Sequence, residues 1–199
     1  MRPTQAERRA RSRSALLESA ARGLSRHGYG NLVLEQVARD AGYTRGALYH
    51  QFRDKEDLAL AVLAWVDETW REEVGALVER ETEPVAALLA LARGHAVFCR
   101  RDVARVAMAL RVEFSSQDHP VGRELARVTD TLVERVGRLI AAGRRAGTIP
   151  PGPPARTVAT AFAGTLEGVV IALAGQAPHD ELLTARAVAG VLGLATMPR

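Results

Sequence analysis

Lysine is almost missing from this chain: of 27 basic side chains, only Lys55 is not an arginine. Cysteine is as scarce. The single Cys99 closes no internal disulfide and rules out a cysteine-based metal cluster, which fits a reducing compartment. Aromatic residues make up 5% of the chain, too few for a large cage around a planar cation. No apolar run comes near the ~18 residues that a membrane span needs, and strand-like alternation is nowhere sustained. The opening segment MRPTQAERRARSRSALLESA is rich in arginine but lacks the apolar core and small-residue cleavage site of a secretory signal. A cytoplasmic protein without a membrane partner is expected. Enzyme signatures are missing too. There is no GxSxG, HExxH, Walker glycine loop or dinucleotide fingerprint, and the histidines are scattered at 27, 50, 95, 119 and 179. Glu113 and His95 can meet in a bundle core, but nothing in their spacing requires it. No catalysis, cofactor or metal is expected.

What is present is helix and an uneven charge. The 199 residues suffice for one small and one medium domain, each with its own core. Residues 1 to 60 hold 11 basic against 7 acidic side chains and the remainder 16 against 16, so the net +4 lies in the first third. A basic N-terminal part suits a polyanionic partner, or is simply a solvated terminus. Periodicity predicts helices over Gln5–His27, Leu34–Ala41, Thr44–Phe52, Asp57–Arg80, Pro84–Cys99, Asp102–Ser115, Pro120–Ala146, Pro154–Gln176 and Asp180–Ala195. Gly28 and Gly30 stop the first, and Asp54 is the expected N-cap of the fourth. The reading is an all-α fold of about nine helices.

The second and third of these helices are short, and a glycine parts them. In LEQVARDAGYTRGALYHQF, Gly42 can take the positive φ of a tight turn, Ala38 allows a close crossing, and Thr44 can cap the next helix. With Leu48 and Phe52 turned inward, Arg45, Gly46, Tyr49 and His50 point outward, because 45 and 49, and 46 and 50, are one turn apart. A guanidinium, a bare backbone, a phenol and an imidazole on one face suit a DNA groove. Arginine grips guanine with two hydrogen bonds, glycine permits close approach, and Tyr and His reach phosphate oxygens.

The stretch GYGNLVLEQVARDAGYTRGALYHQFRDKEDL resembles the tetracycline-repressor-type (TetR/AcrR) transcriptional regulators, whose pattern is approximately GY...T...IA..AG.S.G.LY..F..KE.L. Gly28, Tyr29, Val37, Ala38, Ala41, Gly42, Thr44, Gly46, Leu48, Tyr49, Phe52, Lys55, Glu56 and Leu58 fall in register. The resemblance implies a three-helix helix-turn-helix DNA-binding domain over 1–56, with Thr44, Arg45, Gly46, Ala47, Tyr49, His50 and Lys55 at a double-stranded operator. It also implies a ligand-binding and dimerisation domain over 57–199. The chain departs from the pattern at Val33, where Thr or Ser is common; valine neither caps a helix nor donates to a phosphate, and Asn31 is the alternative cap. An ammonium at the start of a helix, as at Lys55, opposes the helix dipole and is helped by a nearby anion such as DNA phosphate.

In the larger part, ARTVATAFAGTLEGVVIALAGQ is apolar on two sides. Ala155, Ala159, Phe162, Leu166, Val169 and Leu173 suit the subunit's own core. Ala161, Gly164, Gly168, Ile171 and Gly175 suit the close approach of another helix. The resemblance puts the last two helices in a dimeric four-helix bundle, so Ala161, Gly164, Gly168 and Ile171, with Leu183, Ala187, Gly190 and Leu194, are assigned to a homodimer interface; packing within a monomer is the alternative. Candidate ligand-pocket residues are Trp65, Thr69, His95, Phe98, Met108, Val112, Phe114, Leu132 and Phe162, most of which also read as ordinary core. Glu167, the one charge between Arg156 and Asp180, faces a ligand, pairs with an arginine such as Arg111, or reaches the rim. The expectation is a homodimeric regulator, a repressor released from a palindromic operator by a small, mainly apolar effector. The rival is a DNA-binding protein that answers to a protein partner or to nothing small.

Overall fold

The first helix begins at a Thr4 capping box and ends at Gly28. The computed structural model describes residues 4–114, 118–173 and 175–194. Ser115 and Ala195, where two expected helices end, and Ala174, inside a third, lie outside the described residues. The elements are α1 (Gln5–His27), α2 (Leu34–Asp40), α3 (Arg45–Tyr49), α4 (Lys55–Trp70), a π turn (Arg71–Gly75), α5 (Ala76–Glu79), α6 (Pro84–Phe98), a 3-10 turn (Asp102–Arg105), α7 (Val106–Glu113), α8 (Pro120–Arg145), α9 (Ala155–Leu173) and α10 (His179–Val191). Because α4, the π turn and α5 follow one another without a break, the described residues form nine helical rods, and no strand is found among them.

The differences from expectation have local causes. Asp54 accepts a hydrogen bond from the Asp57 N–H at 2.8 Å, so α4 starts at Lys55 rather than Asp57. α3 is shorter than predicted because Thr44 is its cap, accepting from the Ala47 N–H, and because the chain leaves the helix at His50. Val33 makes no side-chain cap on α2. Asn31 does not replace it: its amide donates to the His27 carbonyl at the end of α1. The helix expected from Asp102 begins as a 3-10 turn. α9 corrects the expectation about membrane spans, since by length and composition alone it is apolar enough to cross one. It passes that test because it is apolar on both sides, as the sequence shows.

Two compact units are present, Met1–Asp67 with Arg101–Ala126, and Glu68–Arg100 with Arg127–Arg199. Compactness therefore does not fall at the functional cut expected after residue 56. The reason lies in the end of α1. Ser25 Oγ donates to the Asp102 carbonyl at 2.8 Å, and Arg26 pairs with the Asp102 carboxylate at 2.8 Å, which brings the 3-10 turn and α7 to the first unit. That unit is built on Leu16, Leu24, Leu48, Phe52, Leu58, Val62, Val106 and Leu110, all fully or almost fully buried. Each such large side chain contributes about 1.5–3 kcal/mol by leaving water.

The second unit centres on Leu88, Leu91, Ile140, Phe162, Leu166 and Val188. α6 approaches the π turn and α5 closely at Gly94, where an added Cβ would lie 2.8 Å from Leu77 Cδ1.

Candidate nucleic-acid interface

Three backbone features turn α3 outward. Gly42 has φ +77°, its N–H donates to the Arg39 carbonyl at 3.0 Å, and the Tyr43 N–H donates to the Ala38 carbonyl at 2.8 Å. Ser19 Oγ, buried on α1, donates to the Val37 carbonyl at 3.0 Å and fixes α2 beneath the turn. Leu48 and Phe52 are buried, while Thr44, Arg45, Gly46, Tyr49 and His50 are exposed and Ala47 is half-buried. The structure thus brings the expected α3 side chains together on one face.

Arg45 pairs with Glu35 of α2 at 3.0 Å, and its guanidinium lies 5.2 Å from the Tyr49 ring centroid. An exposed pair of this kind is worth only about 0–1 kcal/mol, so it orients Arg45 and yields readily to a stronger anion or a base edge. Around Gly46, the nearest atom to an added Cβ is Thr44 Oγ1 at 3.8 Å. The chain's own packing therefore does not require glycine there.

Lys55 has a partner that the sequence did not announce. Its ammonium donates to the Gly30 carbonyl at 2.9 Å and lies 4.8 Å from the centroid of the Tyr29 ring. The same loop is held from its other side by Glu113, whose carboxylate oxygens accept from the Tyr29 and Gly30 N–H groups at 2.6 Å each. Tyr29 stacks edge-on against Phe114 and His119, with centroids 5.1 and 5.3 Å away. His119 in turn lies 3.6 Å from the Glu56 carboxylate. Burial, and then the carboxylates of Glu56, Asp54 and Glu113, raise the Tyr29 phenol above its ordinary pKa. Glu113 entered the sequence reading only as a conceivable partner of His95; its actual use is to fasten the α1–α2 loop.

The expected effector residues do not all gather in one unit. Trp65, Met108 and Val112 belong to the first, and Thr69, His95, Phe98, Leu132, Phe162 and Glu167 to the second. Val112 is 84% exposed, because Val106 and Leu110 take the inward positions of α7. Phe162 and Phe98 are core, and Glu167 is half-buried on α9. His95 accepts from Trp70 Nε1 at its Nδ1 (3.1 Å), and its Nε2 lies 3.6 Å from Cys99 Sγ. Burial pushes its pKa down to about 4, so the ring is neutral over the physiological range. An open cleft of about 380 Å³ lies between α1 and α2, where Arg22, Arg26, His27 and Gln36 are among the lining side chains; none of the expected effector residues lines it.

The small stripe of α9 faces outward. Ala161, Gly164 and Gly168 are exposed, Ile171 is 68% exposed, and an added Cβ at Gly164, Gly168 or Gly190 would meet nothing within 4 Å. Leu183 is exposed on α10, with Ala187 and Leu194 half-buried. The opposite stripe is inward, with Ala159, Phe162 and Leu166 buried.

Comparison with known proteins places this geometry. Residues 16–62 match the family model for bacterial regulatory proteins, tetR family. The HTH-type transcriptional repressor AcnR of Corynebacterium glutamicum is 41% identical over 51 residues, which are 26% of this chain and 27% of that protein. The matched segment therefore spans about a quarter of that relative's length. SCO4454, a TetR-family transcriptional regulator from Streptomyces coelicolor, superposes with a TM-score of 0.77 at 23% identity, over 92% of this chain and 95% of that one. AibR, solved with isovaleryl coenzyme A and operator DNA, superposes with a TM-score of 0.70 at 21% identity, over 92% and 97%. At these identities the likeness to the two structures carries the fold.

Proposed function

We propose, from the premise that the chain belongs to the tetR family of bacterial regulatory proteins, that it is a cytoplasmic homodimeric repressor that leaves a palindromic operator when a small, mainly apolar effector binds. The observation that carries the DNA reading is the face of α3, where Thr44, Arg45, Gly46, Tyr49 and His50 stand exposed over a buried Leu48. Ala47 completes this face. Lys55 braces the loop beside it and has further N–H groups to offer a phosphate. DNA binding is assigned to residues 1–56, and effector binding and dimerisation to 57–199. AibR, whose structure holds both an acyl coenzyme A and operator DNA, supports an effector-responsive reading of a chain with this fold. Release follows from linkage: an effector that favours a conformation with wrongly spaced α3 helices lowers DNA affinity by the factor by which DNA lowers effector affinity.

Selection of duplexes from a random pool, followed by footprinting, tests the DNA reading. The expected result is a dyad-related site with two protected half-sites about 34–36 Å apart, or more if dimers bind in pairs. Enrichment of no sequence would sink it. Arg45→Ala should weaken binding to that duplex and tolerate replacement of one base pair per half-site, because a bidentate contact with guanine discriminates by about 1–3 kcal/mol. Equal losses on selected and scrambled duplexes would move Arg45 to the phosphates.

The outward stripe of α9 supports the dimer. Gly168 has open space around it within its own chain, so Gly168→Leu should fold normally but clash where a second copy packs closely. Sedimentation should show a monomer, with operator affinity lost alongside. An intact mutant dimer would put the interface elsewhere.

A further inference from the structure

The first three turns of α1 carry no core. Its first buried residue is Leu16, so the eleven residues from Gln5 to Ala15 run for about 16 Å as helix with little or no burial. This is a defined element rather than a frayed tail: Thr4 Oγ1 accepts from the Glu7 N–H at 3.2 Å, and the Glu7 carboxylate accepts from the Thr4 N–H at 2.6 Å. Four arginines, 8, 9, 11 and 13, stand exposed along it, and Glu7, already used in the cap, is the one acid. No ion pair engages Arg8, Arg9 or Arg11 among the described residues.

Helix stability does not account for these charges. Cations near a helix N-terminus oppose its dipole, and Arg9 and Arg13, four apart, repel one another. Their position adds a direction. The Arg13 guanidinium lies 4.7 Å from the Phe52 ring centroid, and Gln51 donates to Ser12 Oγ at 2.8 Å, so this side of α1 borders the chain just after α3. Arg9 continues the same face one turn further out.

We infer that the N-terminal three turns of α1 are a second DNA-binding element, a basic arm that grips the sugar-phosphate backbone of the duplex read by α3. This rests on the DNA reading of α3. The arm reads no sequence: it adds phosphate contacts, and so affinity and salt dependence, equally to all duplexes.

The test compares the full-length wild type with the triple variants Arg8→Ala/Arg9→Ala/Arg11→Ala and Arg8→Lys/Arg9→Lys/Arg11→Lys. Each is titrated with salt on a duplex selected by the wild type and on a scrambled one. Alanine at exposed helix positions should leave the thermal melt unchanged. The alanine variant should bind both duplexes at least about tenfold more weakly near 0.15 M salt. Its slope of log affinity against log salt should be shallower by about two units or more for the dimer, since each phosphate that the protein no longer neutralises removes roughly 0.9. The lysine variant should keep the slope. Wild-type selectivity together with an unchanged slope in the alanine variant would overturn the arm and leave the α3 reading intact. A loss confined to the selected duplex, or a lowered melt in both variants, would also overturn it. If the wild type selects no duplex, the α3 reading falls and the arm with it.

Discussion

Replacing Arg100 with alanine should destabilise the second unit by about 3–5 kcal/mol, the cost of leaving a buried charge without its partner. Arg100 Nε and Nη2 donate to the two oxygens of Asp180 at 2.9 and 2.8 Å, and Arg100 also pairs with Glu181. The Asp180 side chain is 3% exposed, and it ties the end of α6 to the first turn of α10. The two partners are unequal. Asp180→Ala leaves an arginine that is nearly a third exposed and still paired with Glu181, so it should cost less, about 2 kcal/mol. Arg100→Ala strands a carboxylate that keeps the hydrogen bond from the Glu181 N–H but has no cation beside it.

The pH dependence separates the two effects. Hydrogen bonds from Arg100 are the main cause holding the Asp180 carboxyl below its ordinary pKa of 3.8. A folded pKa depressed in this way contributes stability that is fully present above the unfolded pKa and is lost as pH falls through the folded one. Without Arg100, burial instead raises that pKa, and the variant gains stability as its carboxyl takes up a proton. The gap between wild type and Arg100→Ala should therefore narrow as pH falls from about 6 towards 4. Urea denaturation followed by circular dichroism at several pH values measures it; a constant gap would mean that the stranded carboxylate is not the cause.

What the sequence made legible was local. The end of α1 at Gly28, the turn at Gly42 with φ +77°, and the caps at Asp54 and Thr44 each depend on residues within four positions of one another. The two apolar sides of α9 were equally readable, because its periodicity separates Phe162 and Leu166, which are buried, from Gly164 and Gly168, which are exposed within the chain. The Glu113 clasp was not legible. It joins groups 83 and 84 residues apart, and an acidic residue at a helix end has the same local signature whether it binds solvent or a distant loop. Lys55 shows the same limit: its register in the motif was visible, but its bond to the Gly30 carbonyl depends on where the loop lies in space. The π turn at Arg71–Gly75 was not legible either, since the periodicity reads as one unbroken helix over Asp57–Arg80. Phe98 and Phe162 read both as possible ligand contacts and as ordinary core, because size serves either use, and both are buried.

Phe52→Ala should abolish operator binding while leaving the dimer in place. Phe52 is almost fully buried and lies just beyond α3, and a phenylalanine truncated in a core costs about 3–5 kcal/mol. Against the roughly 5–15 kcal/mol that typically holds a domain folded, that is a large share. It falls on the unit that presents α3, and the Arg13 guanidinium loses the ring it covers. The apparent DNA affinity falls by the fraction of molecules with α3 in place, so the loss should exceed that of Arg45→Ala and affect selected and scrambled duplexes alike. The proposed dimer face lies on α9 and α10, which belong to the other compact unit. Sedimentation should therefore still show a dimer, in contrast to Gly168→Leu, which should lose the dimer with its helices intact. Measuring both variants by sedimentation and by duplex titration sets the two routes to lost duplex binding apart. A Phe52→Ala dimer that still binds its operator with wild-type affinity would show that α3 keeps its place without the Phe52 ring.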